Sequence, residues 1–171
     1  SIGVPMYPSL LKVTLLAVTM AMGTSAYAAG DAEAGRAKAA TCVACHGVDG
    51  NSAVPTFPKL AGLGHKYLLK QMQDIRDGRR PVALMAGQVD NMTDQDLADI
   101  AAFYDSQSRT GGMADPDKVA LGRKVYLAGI AERQVPACSG CHSPTGNGNG
   151  PAGYPALGGQ HAEYIASQLK M

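Results

Sequence analysis

Along residues 31–108 the apolar positions fall into helical register, and no segment reads as a convincing strand. An Ala-rich stretch from Asp31 to about Ala44 predicts a first helix. Between 65 and 77, Leu68, Met72 and Ile75 share one face, with Gly78 as a stop signal. A third helix is predicted to start at Thr93. Thr93 and Asp96 have the spacing of a capping box, with Asp in place of the usual Glu or Gln, and Leu97, Ile100, Ala101 and Tyr104 form the apolar stripe that follows. After a Gly- and Ser-rich stretch the pattern starts again, with a helix from Asp117 to about Ala128 and another from His161 to Lys170. The expected fold class is all-α.

The second set of helices belongs to an internal repeat. Cys42 to Asn51 aligns without a gap with Cys138 to Asn147. Phe57-Pro58-Lys59-Leu60-Ala61-Gly62 then matches Tyr154-Pro155-Ala156-Leu157-Gly158-Gly159, and Tyr67, Leu68, Gln71 and Met72 match Tyr164, Ile165, Gln168 and Leu169. Upstream, Gly35-Arg36 matches Gly122-Arg123, with a longer connection in the second copy. Two copies indicate a duplicated domain rather than a solenoid. The expected organisation is a first domain at 29–108, a linker at 109–116 and a second domain at 117–171.

Residues 1–28 stand apart. Lys12 precedes an apolar run from Val13 to Met22, and small residues end in Ala26-Tyr27-Ala28, an A-x-A cleavage pattern. The run is short for a membrane span. It reads as a secretory signal, with an uncleaved anchor as the alternative, so the protein is expected to be exported to the periplasm. Without Lys12 the chain is charge-balanced, and no basic stripe suggests nucleic acid.

Chemistry enters through the cysteines. All four lie in two copies of one pentapeptide, Cys42-Val43-Ala44-Cys45-His46 and Cys138-Ser139-Gly140-Cys141-His142. C-x-x-C-H is the attachment signal of a c-type haem. Two thiols add to the haem vinyl groups, and the adjacent His supplies an axial nitrogen to iron. A thioredoxin-like dithiol does not require the following His, and zinc ribbons place their pairs only about 15–20 residues apart. Aromatics make up only 5% of the chain and Trp is absent, so a covalently held porphyrin would also supply apolar material that the core lacks.

The other axial position decides function, because a Met thioether closes the iron and suits it to electron transfer, whereas an open site permits peroxide chemistry. Met72 lies on a helix stripe and reads as core. Met92 immediately precedes the Thr93 cap and reads as a hydrophobic staple against Leu97. Met85 lies in an irregular segment between helices and is the favoured ligand, with Met92 or an open site as alternatives. His65 reads as a solvent-facing residue near a helix start. By the repeat Met171 corresponds to Asp74 rather than to Met85, and the second half would need about 30 further residues to supply a Met and a last helix. The sequence is therefore expected to be truncated.

These segments, together with Ala29-Gly30-Asp31-Ala32-Glu33-Ala34-Gly35, Tyr67-Leu68-Leu69-Lys70-Gln71 and Asp94 to Tyr104, resemble the dihaem cytochrome c4 family in order and in both halves. The resemblance implies two tandem cytochrome c-like helical domains, the second incomplete, with two covalently bound haem c groups facing one another across a pseudo-twofold interface. It implies Cys42, Cys45, His46 and Met85 at the first haem and Cys138, Cys141 and His142 at the second. It also implies that the carbonyls of Pro58 and Pro155 accept hydrogen bonds from the two His rings, where loop rigidity alone would be the plainer reading. Gly35 would allow the first and last helices of a domain to cross closely. The function implied is that of an electron carrier, a monomer with two haem domains and some membrane association, working between a quinol-oxidising complex and a terminal oxidase. The rival functions are a cytochrome subunit of a flavocytochrome dehydrogenase and a dihaem peroxidase, the latter requiring five-coordinate iron.

Overall fold

The computed structural model describes residues 30–171; the predicted export signal lies outside the described residues. The first half contains α1 (Ala32–Lys38), α2 (Val43–His46), α3 (His65–Arg76) and α4 (Asp94–Asp105). The second half contains α5 (Pro116–Ala128), α6 (Ser139–His142) and α7 (Ala162–Gln168), the counterparts of α1, α2 and α3 in the repeat. The described residues hold no named strand, only the isolated bridges Ile130–Val135 and Asn149–Tyr154. No helix among them is long and apolar enough to cross a membrane.

The first predicted helix is broken. It tightens to a 3-10 turn over Ala39–Thr41 before α2, so that His46 lies on a short separate helix with Cys42 at its N-cap. α4 follows its sequence pattern closely. Thr93 Oγ1 accepts from the Asp96 amide, the Asp96 carboxylate accepts from the Thr93 amide, and Leu97, Ile100, Ala101 and Tyr104 are all buried.

α1 crosses α4 with the backbones in contact. A Cβ on Gly35 would lie 1.9 Å from the carbonyl oxygen of Asp99, and one on Gly30 would lie 2.0 Å from that of Ala98. Only glycine fits either place. The crossing is locked by Asp99, which is 3% exposed. Its Oδ1 accepts from the Asp31 amide at 2.9 Å and from Gln95 Nε2 at 2.7 Å, and its Oδ2 accepts from Lys38 Nζ at 2.5 Å. Lys38 also pairs with Asp96 at 2.7 Å. The Lys38 ammonium, then the Asp31 amide, holds the Asp99 carboxyl below the usual aspartate range. A carboxylate lowered on folding stabilises the fold fully above its unfolded pKa of about 4, and that stability is lost as pH falls through the lowered folded value. The melting temperature of the holoprotein is thus expected to fall on acidification below about pH 4. Asp99→Asn should lower it at pH 7 and flatten the acid limb; an unchanged limb would assign the acid sensitivity elsewhere.

The halves meet along the repeated loops. Gln160 pairs with the Lys59 backbone, accepting from its amide at 2.9 Å and donating to its carbonyl at 2.8 Å. Arg109, in the expected linker, clamps both copies of one loop. It donates to Ala61 and Gly62 carbonyls of the first half and to the Gly158 carbonyl of the second. Arg80 Nη2 reaches Tyr164 Oη at 3.1 Å and Gln168 Oε1 at 2.5 Å.

Candidate functional site

Each haem motif ends in a histidine whose orientation is fixed by the loop that follows. The Nδ1–H of His46 donates to the Pro58 carbonyl at 2.9 Å, and that of His142 to the Pro155 carbonyl at 2.8 Å. A carbonyl only accepts, so Nδ1 carries the proton in both rings and Nε2 is left with its lone pair, the form a metal-binding imidazole needs. An aromatic ring stands edge-on to each: Phe57 at 6.3 Å from His46 and Tyr154 at 5.9 Å from His142, between ring centres. The repeat thus reproduces the geometry, not merely the motif. His46 is 7% exposed, and burial lowers its basicity against the opposing pull of the Pro58 carbonyl.

His46 lies in the wall of a cavity of about 500 Å³. Cys42 and Cys45 share that wall, and Leu68, Met72, Met85 and Ile100 contribute to its apolar lining. Tyr164 and Gln168 of α7 border it from the second half. Protein interiors do not ordinarily keep apolar space of this size, which lies in the range of small-molecule sites.

The cavity wall also holds a polar atom with no partner. Tyr104 is 1% exposed, and its hydroxyl lies beside the Cys42 thiol without a hydrogen bond to any atom among the described residues. Burial, and then the neighbouring Cys42, raises the phenol above the usual tyrosine range, so it stays protonated as a donor. An unsatisfied buried hydroxyl costs about 1–3 kcal/mol. The site therefore fits a large apolar group with polar or polarisable atoms near Cys42, as a thioether-linked haem would provide. Burial also pushes the Cys42 thiol up, whereas Cys45 is exposed at the cavity mouth.

The three methionines separate in space. Met85 sits on a 3-10 turn over Ala83–Met85, following Pro81, and lines the cavity. Met72 lines it too but is also packed against the core cluster around Leu68 and Ile100. Met92 packs against that cluster, and its carbonyl accepts from Arg76. His65 differs from its sequence reading. It is half-buried rather than solvent-facing, because its Nε2 meets the Ala98 carbonyl of α4 at 3.2 Å. In the second half Cys138 is half-buried and Cys141 exposed, and Tyr126 Oη donates to the Ser143 carbonyl at 2.6 Å, just past His142. Among the described residues no three His, Cys, Asp or Glu side chains converge on a common point that could hold a metal ion.

Lys59, Arg80, Tyr104 and Gln160 were not singled out as site residues by the sequence. Only one of them left a signal. Lys59 faces Ala156 in the repeat, a charge difference inside an otherwise well-matched segment.

A family model described as Cytochrome c matches residues 32–108. The chain is 58% identical over 159 residues to cytochrome c4 of Pseudomonas aeruginosa, covering 93% of this chain and 79% of that protein. The crystal structure of reduced recombinant cytochrome c4 from Pseudomonas stutzeri superposes with a TM-score of 0.81 at 54% identity, covering 83% of this chain and 80% of that one. A thiosulfate dehydrogenase electron acceptor of Thiomonas intermedia is 36% identical over 137 residues, 78% of this chain and 63% of that protein. With two tandem cytochrome c domains, two haem c attachment motifs and relatives of this identity, the chain belongs to the cytochrome c4 family of dihaem electron carriers.

Proposed function

We propose that the protein carries electrons in a periplasmic respiratory chain, from a quinol-oxidising complex toward a terminal oxidase. In this reading Cys42 and Cys45 tether the first haem, with His46 and Met85 as its axial ligands; Cys138 and Cys141 tether the second, with His142 as one ligand. The observation that carries the reading is the His46 ring, held by Pro58 in the wall of an apolar cavity shared with both thiols and Met85. The chemistry that haem supplies when bound is the one-electron Fe(III)/Fe(II) couple. The contribution of the chain is to hold both imidazoles in one tautomer, to exclude water from the first site and to leave Cys45 and Cys141 near the surface. Rigid ligands keep rearrangement small when an electron moves.

Voltammetry of the holoprotein should show two reversible one-electron couples, and the reduced protein should be reoxidised rapidly by membranes containing a terminal oxidase. A relative named as a thiosulfate dehydrogenase electron acceptor supports a second reading, in which the electrons come from a sulfur-compound dehydrogenase. Rapid reduction by such an enzyme, with no turnover against quinol-oxidising membranes, would favour it. A flavocytochrome dehydrogenase subunit would instead co-purify with a flavoprotein.

A further inference from the structure

Lys59 is the residue immediately after the His46 acceptor Pro58, and it is 6% exposed. Its Nζ donates to the Thr110 carbonyl at 3.0 Å, to Thr110 Oγ1 at 2.9 Å and to the Gly111 carbonyl at 3.3 Å. All three ammonium protons are therefore accounted for by neutral oxygens. Among the described residues Lys59 forms no ion pair, although Lys38, Lys70 and Lys118 each find a carboxylate. From the second half the neutral Gln160 brackets the Lys59 backbone. A lysine ammonium withdrawn from water without an anion carries a large desolvation cost.

Anchoring the linker does not explain that cost. Asn51 already holds the same segment, accepting from the Thr110 amide at 2.8 Å and donating to the Ser108 carbonyl at 3.0 Å. Arg109 holds it through three further carbonyls. A neutral donor at position 59 would serve as well. The second half keeps the loop, the proline and the His-to-carbonyl bond, yet has the buried Ala156 where the first half has Lys59.

We infer that Lys59 is a potential-setting residue for the first haem: its charge, buried and paired with no carboxylate of the described residues, lies one residue from the carbonyl that orients His46, favours the reduced iron and raises that haem's potential. The second haem has no such charge at the equivalent place. The inference rests on the assignment of His46 as a haem ligand. The side chain places its terminal nitrogen roughly 13 Å or less from the His46 ring by bond lengths alone. In a buried, weakly screened setting a charge at this range acts on the iron; at the surface, salt would screen it. Reduction removes one unit of positive charge from the iron, so a nearby cation favours that direction.

The test is potentiometry of the holoprotein, with the first couple identified as the one that moves in Met85→Ala. Lys59→Met should lower the first potential, by several-fold more than the second, and Lys59→Arg should restore it. The shift should persist at high salt. Lys59→Gln, which keeps a polar head toward Thr110, provides the same comparison if the Met variant does not accumulate. Unchanged potentials in both neutral variants would overturn the inference. So would equal falls at both haems in Lys59→Arg and Lys59→Met, which would mark a rearranged interface instead. Failure of the underlying ligand assignment looks different: the wild-type protein itself would then lack two reversible couples.

Discussion

Replacing Met85 with alanine is expected to lower the potential of the first haem by on the order of a few tenths of a volt, a sizeable part of the roughly 0.8 V range that axial ligation spans. Met85 lines the cavity from a 3-10 turn that follows Pro81, outside the main helices. The turn is closed by Met85 N donating to the Val82 carbonyl and Gln88 N donating to the Met85 carbonyl. Its backbone is therefore fixed while its thioether is free to face the cavity. A thioether favours Fe(II), so its loss should leave the first iron high-spin or water-ligated and reduce the weak ferric absorption band that marks methionine ligation. Met72→Ala provides the contrast. Met72 packs against the core, so its truncation should cost about 2–4 kcal/mol of stability while the spectrum keeps its methionine signature. If instead Met72→Ala abolishes the band and Met85→Ala leaves it, the two roles are reversed.

Gly35→Val is expected to destabilise the first half by more than about 3 kcal/mol, with a fall in the yield of folded holoprotein. A Cβ at Gly35 would sit 1.9 Å from the Asp99 carbonyl oxygen, 2.4 Å from its carbon and 2.9 Å from the Ile100 nitrogen. These are helix backbone atoms and cannot turn aside as a side-chain tip would. α1 would have to lift from α4, breaking the Asp31 and Lys38 bonds to Asp99 at the same time. Gly111→Ala is the control. Nothing lies within 4 Å of a Cβ there and its φ is not left-handed, so stability should stay within about 0.5 kcal/mol. Urea unfolding followed by haem absorption and far-ultraviolet circular dichroism measures both. Equal midpoints for Gly35→Val and wild type would show that the crossing tolerates separation.

The helices were legible because each carries its own signal. The Thr93–Asp96 capping box and the stripe Leu97, Ile100, Ala101 and Tyr104 are local features, and the structure reproduces them. The first helix was read as continuous into the haem motif because alanine is a good former at any position. The tightening over Ala39–Thr41 lies just before Cys42 and His46 enter the cavity wall, a tertiary arrangement that propensity does not register. His65 was misread for a similar reason. A polar residue at a helix start belongs by default to solvent, and only the approach of α4, thirty-three residues further on, gives its ring a carbonyl partner.

What the sequence by itself determined is the chemistry of the two Cys-x-x-Cys-His segments and the duplication that contains them. Covalent attachment depends on residue types a few positions apart, and the doubled spacing pattern is visible in one dimension. The tertiary structure alone decided which charged groups are buried and by what. Asp99 looks like one more acidic residue of a solvated helix, yet closes the α1–α4 crossing, and Lys59 looks like a loop lysine, yet is enclosed by Thr110 and Gly111. Their partners lie 51 to 68 residues away in the chain. Burial of a charge is set by the elements that converge around it, and that convergence exists only once α1 has crossed α4 and the segment around Thr110 has folded back over Lys59.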